Sequence, residues 1–326
     1  MIPVAIVTGF LGSGKTTLIS RILRDPAFAR TAVIVNEFGE IGLDHQLIAS
    51  SEETLLALTT GCLCCAVRSD LGATLLDLQR RREAGEIAYD RVLIETSGLA
   101  DPAPILHALM TDRDIAQHHT IGGVVTVVDA LHAETTLDHH PEARRQVAMA
   151  DTLLLSKTDL AAPPPPLRER LAALNPGAAV LDTRDIAPAG LFAGTDVEAR
   201  FATLPDPAPR NPFARAQHTV GIETFALVRD RPVPALALTL LLEALAEHCG
   251  ARLLRLKGLV SIEEMPGQPA VIHGVQHVFS PPEFLDRWPS DDHTTRIVFI
   301  AQGVPRHFPS RLLDAIEQEV RETMQQ

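Results

Sequence analysis

Near its start the chain has an apolar run that leads into a glycine-rich segment, Gly9 to Thr16, of the pattern G-x-x-x-x-G-K-T. Residues of helix-forming type follow at positions 18–23. A strand, this loop and a helix in this order are the setting in which the pattern is a P-loop, a loop that binds phosphate. Glycines let the backbone pass close to phosphate oxygens, and the loop amides and the helix N-terminus direct positive charge at an anion. The sequence therefore predicts a nucleotide-binding domain.

Each polar residue of this loop has an expected role. Lys15 would reach the β- and γ-phosphates, and the Thr16 hydroxyl would ligate Mg²⁺. We expect the nucleotide to be bound by Gly9, Gly12, Ser13, Gly14, Lys15, Thr16 and Thr17.

The composition indicates a globular protein of two domains. Its 326 residues are many for one domain, and 46% hydrophobic with 21% charged residues is an ordinary balance. A net charge of −12 and only 4% aromatic residues argue against nucleic acid as a partner. No apolar run reaches the roughly 20 residues of a membrane helix, and the N-terminus lacks the basic lead-in of a signal peptide. We therefore expect a cytoplasmic protein that binds neither nucleic acid nor membrane.

Apolar runs that alternate with helical patterns predict an α/β fold. Residues 70–82 space their leucines as a helix does. The alternation predicts a P-loop, doubly wound, mainly parallel sheet with helices on both faces, and ligands bind at the carboxyl ends of such strands. The predicted strands are residues 4–8, 31–35, 54–59, 91–94, 122–129 and 151–155.

One of these strands ends in an acid. The apolar residues 92–94 run into Glu95, and Gly98 follows. A buried strand that delivers a carboxylate beside Mg²⁺ is the Walker B arrangement. Glu95 therefore joins Lys15 and Thr16 as a candidate catalytic group.

The proline-rich segment 204–212 predicts a domain boundary, which divides the chain into domains at 1–208 and 209–326. An earlier proline run, 163–166, predicts a stiff extended segment. Beyond the boundary we expect a smaller α+β domain. Its strands are predicted at 221–228, 253–262, 270–279 and 296–300, and its helices at 234–248 and 309–324.

The predicted strand 151–155 leads into Ser156-Lys157-Thr158-Asp159, which is similar to the guanine-reading N-K-x-D of GTPases. A carboxylate at Asp159 accepts from both donors on the guanine edge, whereas adenine presents an acceptor there. The apolar stem of Lys157 can lie along the base. Ser156 is shorter than the usual asparagine and lacks its amide. These residues favour GTP over ATP, and a helix N-cap is the alternative for Asp159.

Three of the four cysteines, Cys62, Cys64 and Cys65, lie within four positions, and the fourth is Cys249. Such close spacing suits metal or redox chemistry better than a disulfide framework. Three thiolates from one loop could supply three corners of a tetrahedral zinc site. From the residues alone, a redox pair and buried inert cysteines remain open.

Six segments resemble the CobW-type P-loop GTPases and occur in that family's order: G-F-L-G-S-G-K-T-T, N-E-F-G-E-I-G-L-D, G-C-L-C-C, E-T-S-G-L-A-D-P, V-V-D-A and S-K-T-D-L. Segments around 255–258 and 273–277 also look like that family's second domain. The resemblance implies a metal-handling GTPase, in most assigned members a zinc metallochaperone or metal-insertion factor. It further implies that the cysteine loop is a zinc site near the nucleotide, with Glu37 as a neighbour or ligand.

The chain departs from the family pattern in two places. Ser156 replaces the usual asparagine, and the long histidine-rich stretch of several members is missing. The chain has instead the pairs His118–His119 and His139–His140, which we expect to be solvated loop residues.

The motifs together predict a mechanism. GTP and Mg²⁺ bind at residues 9–17, and the loop 36–44 orders on the γ-phosphate. Nucleotide state then changes zinc affinity, and zinc changes nucleotide affinity by the same factor. Hydrolysis releases zinc to a client apo-metalloprotein, which is the expected partner, and a homodimer is left open. We expect slow intrinsic turnover, because the motif segments contain neither an arginine finger nor a water-orienting glutamine.

Two other functions remain open at this point. One is a small-molecule P-loop kinase with a structural cysteine cluster, which would turn over ATP. The other is a zinc buffer or sensor that responds to GTP without useful hydrolysis.

Overall fold

The structure, a computed structural model, describes residues 1–36, 55–58, 66–185 and 221–324. These residues form two compact units. The first takes the described residues up to Asp185 except Ala173–Gly177, and the second takes Ala173–Gly177 and the described residues from Gly221 onward. No helix in the described ranges is both long enough and apolar enough to cross a membrane.

The first unit is built on a sheet of seven parallel strands in the order β3-β2-β4-β1-β5-β6-β7. The strands are β1 Ile2–Thr8, β2 Thr31–Asn36, β3 Leu55–Leu58, β4 Arg91–Thr96, β5 His119–Asp129, β6 Thr152–Ser156 and β7 Ala179–Asp182. The α-helices between them are α1 Lys15–Ile22, α2 Ala66–Glu83, α3 Ala103–Thr111, α4 Arg113–Ala116, α5 Ala133–His139, α6 Pro141–Met149 and α7 Pro165–Leu174.

The central strands are buried on both faces, as a parallel sheet between helices requires. In β1, Val4 and Ile6 on one face and Ala5 and Val7 on the other are at most 1% exposed. The apolar side of α1 covers the second of these faces. Its contribution to that core is Leu18, Ile19 and Ile22.

The connections between the strands of this sheet determine where a ligand would bind. From β1 the chain passes through α1 to β2 on one side, whereas from the neighbouring strand β5 it passes through α5 and α6 to β6 on the other. A doubly wound sheet binds ligands where its connections diverge in this way. The carboxyl ends of the four adjacent strands β4, β1, β5 and β6 therefore meet at one edge. The predicted doubly wound parallel fold is confirmed.

The second unit is a smaller α+β structure. Its antiparallel sheet has the order β11-β10-β9-β13-β8, with β12 paired to β10. Leucines of α8 pack with apolar side chains of β9, β13 and α9 in one core. Its elements are β8 Ile222–Arg229, α8 Ala235–Cys249, β9 Leu253–Val260, β10 Ala270–Val275, β11 Val278–Phe279, β12 Glu283–Phe284, β13 Thr295–Gln302 and α9 Phe308–Met324.

Three local expectations are corrected. The proline run does not stay extended, because α7 begins at Pro165, and proline suits a first helical turn where no amide partner is needed. The predicted strand 270–279 is broken into β10 and β11 by a turn in which Gln276 has a φ of 54°. The short strand β7 was not predicted. The proposed boundary at 208/209 lies outside the described residues and stays a prediction.

Candidate functional site

The P-loop follows β1 directly and needs glycine at its first position. Gly9 has a φ of 143°, and a Cβ there would lie 2.3 Å from the carbonyl oxygen of Val127 in β5. Any side chain would push the loop away from the sheet. Gly12 and Gly14 also have positive φ, of 69° and 93°. The loop therefore has the backbone conformation that a phosphate cradle requires.

Lys15 is the first residue of α1 and is buried. Its Nζ donates to the carbonyl oxygen of Gly9 at 3.0 Å and to that of Phe10 at 3.4 Å. The ammonium group thus lies over the mouth of the loop. A phosphate held by the loop amides would meet this charge, as the sequence predicts.

Thr16 and Glu95 come together across the sheet. The Thr16 hydroxyl donates to Glu95 Oε1 at 2.8 Å, and Glu95 is almost fully buried at 5% exposure. Register explains the contact, because Glu95 of β4 pairs with Val7 of β1 just before the P-loop. A hydroxyl and a carboxylate are the hard oxygen ligands that Mg²⁺ prefers, so these two residues fit that ion.

On the other side of the P-loop, the end of β6 is tied to it. Ser156 Oγ donates to the carbonyl oxygen of Ser13 at 2.6 Å and to that of Val128 at 3.3 Å. Lys157 follows with a left-handed φ of 60°. This backbone turn directs the chain towards Asp159, which is exposed to solvent as a base-reading carboxylate must be.

Sequence reasoning gave no role to Asp129, the last residue of β5. Its Oδ2 accepts from Lys157 Nζ at 2.7 Å and lies 3.0 Å from His132 Nδ1. Burial raises the pKa of Asp129, but the bonds from Lys157 and His132 outweigh it and hold the pKa below its usual value. The signal was present, since an apolar strand ending in an acid is the same pattern that identified Glu95.

The end of β7 adds a second ion pair near the segment 156–159. Both side-chain oxygens of Asp182 accept from the Arg184 guanidinium, at 3.2 and 3.0 Å, and these bonds hold the pKa of Asp182 well below its usual range. The amide of Thr183 donates to the carbonyl oxygen of Leu155 at 2.9 Å. This segment is thereby fixed beside the end of β6.

A turn follows Glu95 and packs on the P-loop. The Ala100 amide donates to the carbonyl oxygen of Ser97 at 3.0 Å. A Cβ added to Gly98 in this turn would lie 2.7 Å from Leu11 Cα, so only glycine allows the approach. The turn is also held by Gln146 of α6, which sequence reasoning did not identify.

A cavity of about 290 Å³ lies between the P-loop, the end of β5 and helices α5 and α6. Its wall contains Phe10, whose ring centroid lies 4.3 Å from that of His140. Ser13, Asp129 and Lys157 also line it, so it is continuous with the site described above.

The structure therefore brings the candidate P-loop residues, Glu95 and the segment from Ser156 to Asp159 to one edge of the sheet. Thr17, in the first turn of α1, is exposed. Glu37, Cys62, Cys64 and Cys65, the candidate zinc ligands, lie outside the described residues. Within the described ranges, no group of three or more histidine, cysteine, aspartate or glutamate side chains is arranged to hold a metal ion.

Known proteins share both the sequence and the architecture. The zinc chaperone YjiA of Escherichia coli is 35% identical over 305 residues, which cover 93% of this chain and 95% of that protein. The zinc chaperone CobW of Pseudomonas aeruginosa is 33% identical over 340 residues, covering 92% and 88%. The crystal structure of Zn(II)-bound YjiA GTPase from E. coli matches with a TM-score of 0.74 at 28% identity, covering 97% of this chain and 98% of that one.

The matches to family models agree with the two units. Residues 3–182 match the CobW/HypB/UreG nucleotide-binding domain. Residues 222–317 match the cobalamin synthesis protein cobW C-terminal domain. The chain therefore belongs to the CobW/HypB/UreG family of P-loop nucleotide-binding proteins, in the form that carries a CobW C-terminal domain.

Proposed function

We propose that this protein is a GTP-hydrolysing metallochaperone that binds zinc at Cys62, Cys64 and Cys65 and delivers it to a client protein under nucleotide control. The observation that carries the proposal is the convergence of phosphate loop, Mg²⁺ ligands and base-reading segment at one sheet edge. The relatives named as zinc chaperones and as a GTPase support the metal and the nucleotide. GTP and zinc are the substrate and the cargo, and we expect the cytoplasm as the compartment.

The base-reading segment supports GTP rather than ATP. Asp159 is solvent-exposed and follows a lysine that is fixed by its bond to Asp129. A fixed lysine stem gives a base a flat apolar contact, and the carboxylate selects the two donors of guanine. Ser156 contributes by holding this segment against the P-loop.

Hydrolysis uses residues whose positions the P-loop fixes. Lys15 binds the β- and γ-phosphates in place of its present carbonyl acceptors. Thr16 and Glu95 would hold Mg²⁺, which neutralises charge that develops on the phosphates. The remaining catalysis is positioning, because phosphoryl transfer requires little covalent chemistry from the protein.

The sheet supports a shared zinc site for Glu37 and the cysteines. Strands β2 and β3 are parallel neighbours in which Asn36 pairs with Leu58. Glu37 directly follows the first of these paired residues, and Cys62 is the fourth residue after the second. The carboxyl ends of β2 and β3, which precede these two segments in the sequence, thus lie at the same edge of the sheet as the P-loop. Thiolates and a carboxylate are suitable zinc ligands.

The test measures zinc affinity by competition with a chromophoric chelator in three states: without nucleotide, with GDP, and with a non-hydrolysable GTP analogue. We expect a tenfold or larger difference between the GDP and GTP-analogue states, corresponding to a coupling of about 1.4 kcal/mol or more. Equal affinities would refute the nucleotide control. Parallel assays measure the turnover of GTP and of ATP. Turnover of ATP in place of GTP would support a kinase, and GTP binding without phosphate release would support a zinc buffer.

Substitutions identify the ligands. The double variant Cys64→Ala, Cys65→Ala should lose tight zinc binding while it retains GDP. Cys249→Ala is the matched control, because that cysteine is a buried free thiol in the core of the second unit. Unchanged zinc affinity in the double variant would refute the cysteine site.

A further inference from the structure

Gln146 of α6 forms hydrogen bonds with the turn that follows β4, the strand that carries Glu95. Its Nε2 donates to the carbonyl oxygen of Gly98 at 3.1 Å and to that of Ala100 at 3.0 Å. The two acceptors are 48 and 46 residues away along the chain. Because both are carbonyl oxygens, they use both hydrogens of the amide.

Gln146 is itself held rigidly. It is 1% exposed, and its main-chain carbonyl oxygen accepts from the hydroxyl of Thr126 in β5 at 2.8 Å. The residue after Thr126 is Val127, whose carbonyl oxygen lies against Gly9 of the P-loop. The same strand therefore supports the P-loop and the helix that holds the turn.

The turn is clamped between two elements. On one side Gly98 lies so close to Leu11 of the P-loop that an added Cβ would be 2.7 Å from its backbone. On the other side Gln146 fixes the peptide groups of the turn. The turn starts two residues after Glu95, which contacts Thr16. In GTPases the segments beside the Mg²⁺ ligands are the ones that respond to the γ-phosphate.

We propose that Gln146 is a positioning residue for GTP hydrolysis: it holds the turn Ser97–Ala100 against the P-loop on the side of the γ-phosphate. The proposal rests on the proposed GTPase function. A residue in this role affects the triphosphate state and leaves diphosphate binding intact. A residue that only fills the core would instead lower stability and affect all nucleotides alike.

The experiment compares Gln146→Met, which keeps the side-chain volume and removes both donors, with wild type in the full-length protein. We measure kcat and KM for GTP, the affinities for GDP and for a non-hydrolysable GTP analogue, and thermal unfolding. We expect kcat and the affinity for the GTP analogue to fall about tenfold, as loss of two buried hydrogen bonds predicts. GDP affinity should stay within about twofold of wild type.

The matched control is Gln79→Met in α2. Gln79 is also buried, and its Nε2 donates to Glu83 at 2.7 Å within the same helix. This variant should show a comparable stability loss without the change in kcat. If Gln146→Met fails to fold, Gln146→Asn keeps the amide one methylene short and should show a smaller effect in the same direction.

Two results would overturn the proposal: an unchanged kcat, or an unchanged ratio of the affinities for the GTP analogue and GDP, whether both affinities stay or both fall equally. Failure of the proposed function is distinguishable. If wild type does not hydrolyse GTP, the GTPase proposal fails, whereas the ratio of triphosphate to diphosphate affinity still tests Gln146.

Discussion

Ser156 shows how one short side chain serves the position where guanine-reading segments usually have asparagine. Its buried hydroxyl donates to the carbonyl oxygen of Ser13 and so joins the end of β6 to the P-loop. A hydroxyl attached directly to Cβ reaches this carbonyl only because the two segments lie in contact. The serine therefore fixes the segment that follows β6 against the P-loop.

Ser156→Ala removes that link and leaves the buried carbonyl of Ser13 without this donor. We expect GTP and GDP affinities to fall about five- to tenfold, because a buried hydrogen bond contributes about 1 kcal/mol or slightly more. The affinities can be measured with fluorescent nucleotide analogues. Thr239→Ala is the control, since this threonine hydroxyl also donates to a backbone carbonyl but lies in the second unit. Wild-type affinity in Ser156→Ala would contradict the role.

His119 corrects the expectation that the paired histidines are solvated. It begins β5 and is 1% exposed, with Nδ1 3.3 Å from the carbonyl oxygen of Ile115. Burial lowers the pKa of His119 below its ordinary value of 6.5. His139 matches the expectation and is exposed. The two histidine pairs look alike in sequence, but the second residue of the pair His118–His119 is the first residue of the central strand β5.

This burial predicts acid sensitivity with a definite sign. Between the lowered pKa of the folded state and 6.5, the unfolded chain binds a proton that the folded chain does not. The contribution of neutral His119 to the free energy of unfolding is therefore fully present above about pH 6.5, and it is lost as the pH falls through this window. His119→Asn should lose less unfolding free energy than wild type between pH 7 and pH 5.5, measured by urea denaturation. His139→Asn should behave as wild type, and parallel losses in all three proteins would contradict the assignment.

At the scale of elements, the sheet edge is what makes separate segments into one site. Four adjacent strands each end at a part of the site. Glu95 lies at the end of β4, the P-loop follows β1, and Asp129 and Ser156 end β5 and β6. Parallel strands require this arrangement, since all their carboxyl ends face the same edge. The order of the strands in the sheet therefore determines which parts of the site are neighbours.

The parts of the site that could be predicted are local patterns. Lys15 was recognisable from the pattern G-x-x-x-x-G-K-T, and Glu95 was recognisable because it ends a short apolar run. The pairing of Asp129 with Lys157 joins residues 28 apart, and the bonds of Gln146 join residues 46 and 48 apart. No period or short motif encodes such contacts. The first depends on the pairing of β5 with β6, in which Asp129 lies opposite Ser156, and the second depends on how helix α6 packs beside the turn at Gly98.

The same reasoning explains the errors in the elements. Long apolar strands such as β5 and the leucine-rich helix α8 are strongly patterned, and their existence was predicted. β7 has only four residues and lies at the edge of the sheet, where Asp182 is its one buried residue, so its short apolar run at 179–181 was not recognised as a strand. Of the prolines that suggested an extended segment, Pro165 and Pro166 occupy the first turn of α7, whereas Pro163 and Pro164 precede the helix.

At the scale of the whole molecule, the two units have separate sheets and separate cores. The parallel sheet buries Ile6, Leu93 and Val125, whereas the antiparallel sheet buries Leu241, Leu256 and Phe299 with its own helices. A sheet with a helix-covered core is the usual requirement for independent folding. The candidate nucleotide-binding residues all belong to the first unit.

We therefore expect fragments 1–208 and 209–326 to fold separately. Each fragment should unfold in a single cooperative urea transition, because each contains one complete described sheet and the helices that cover it. Fragment 1–208 should bind GTP within about threefold of the full-length affinity, and fragment 209–326 should bind none. Fragment 1–150 is the control and should not fold, since division at 150/151 removes β6 and β7 from the parallel sheet. Non-cooperative unfolding of 209–326, or loss of GTP binding by 1–208, would show that the proposed boundary is wrong.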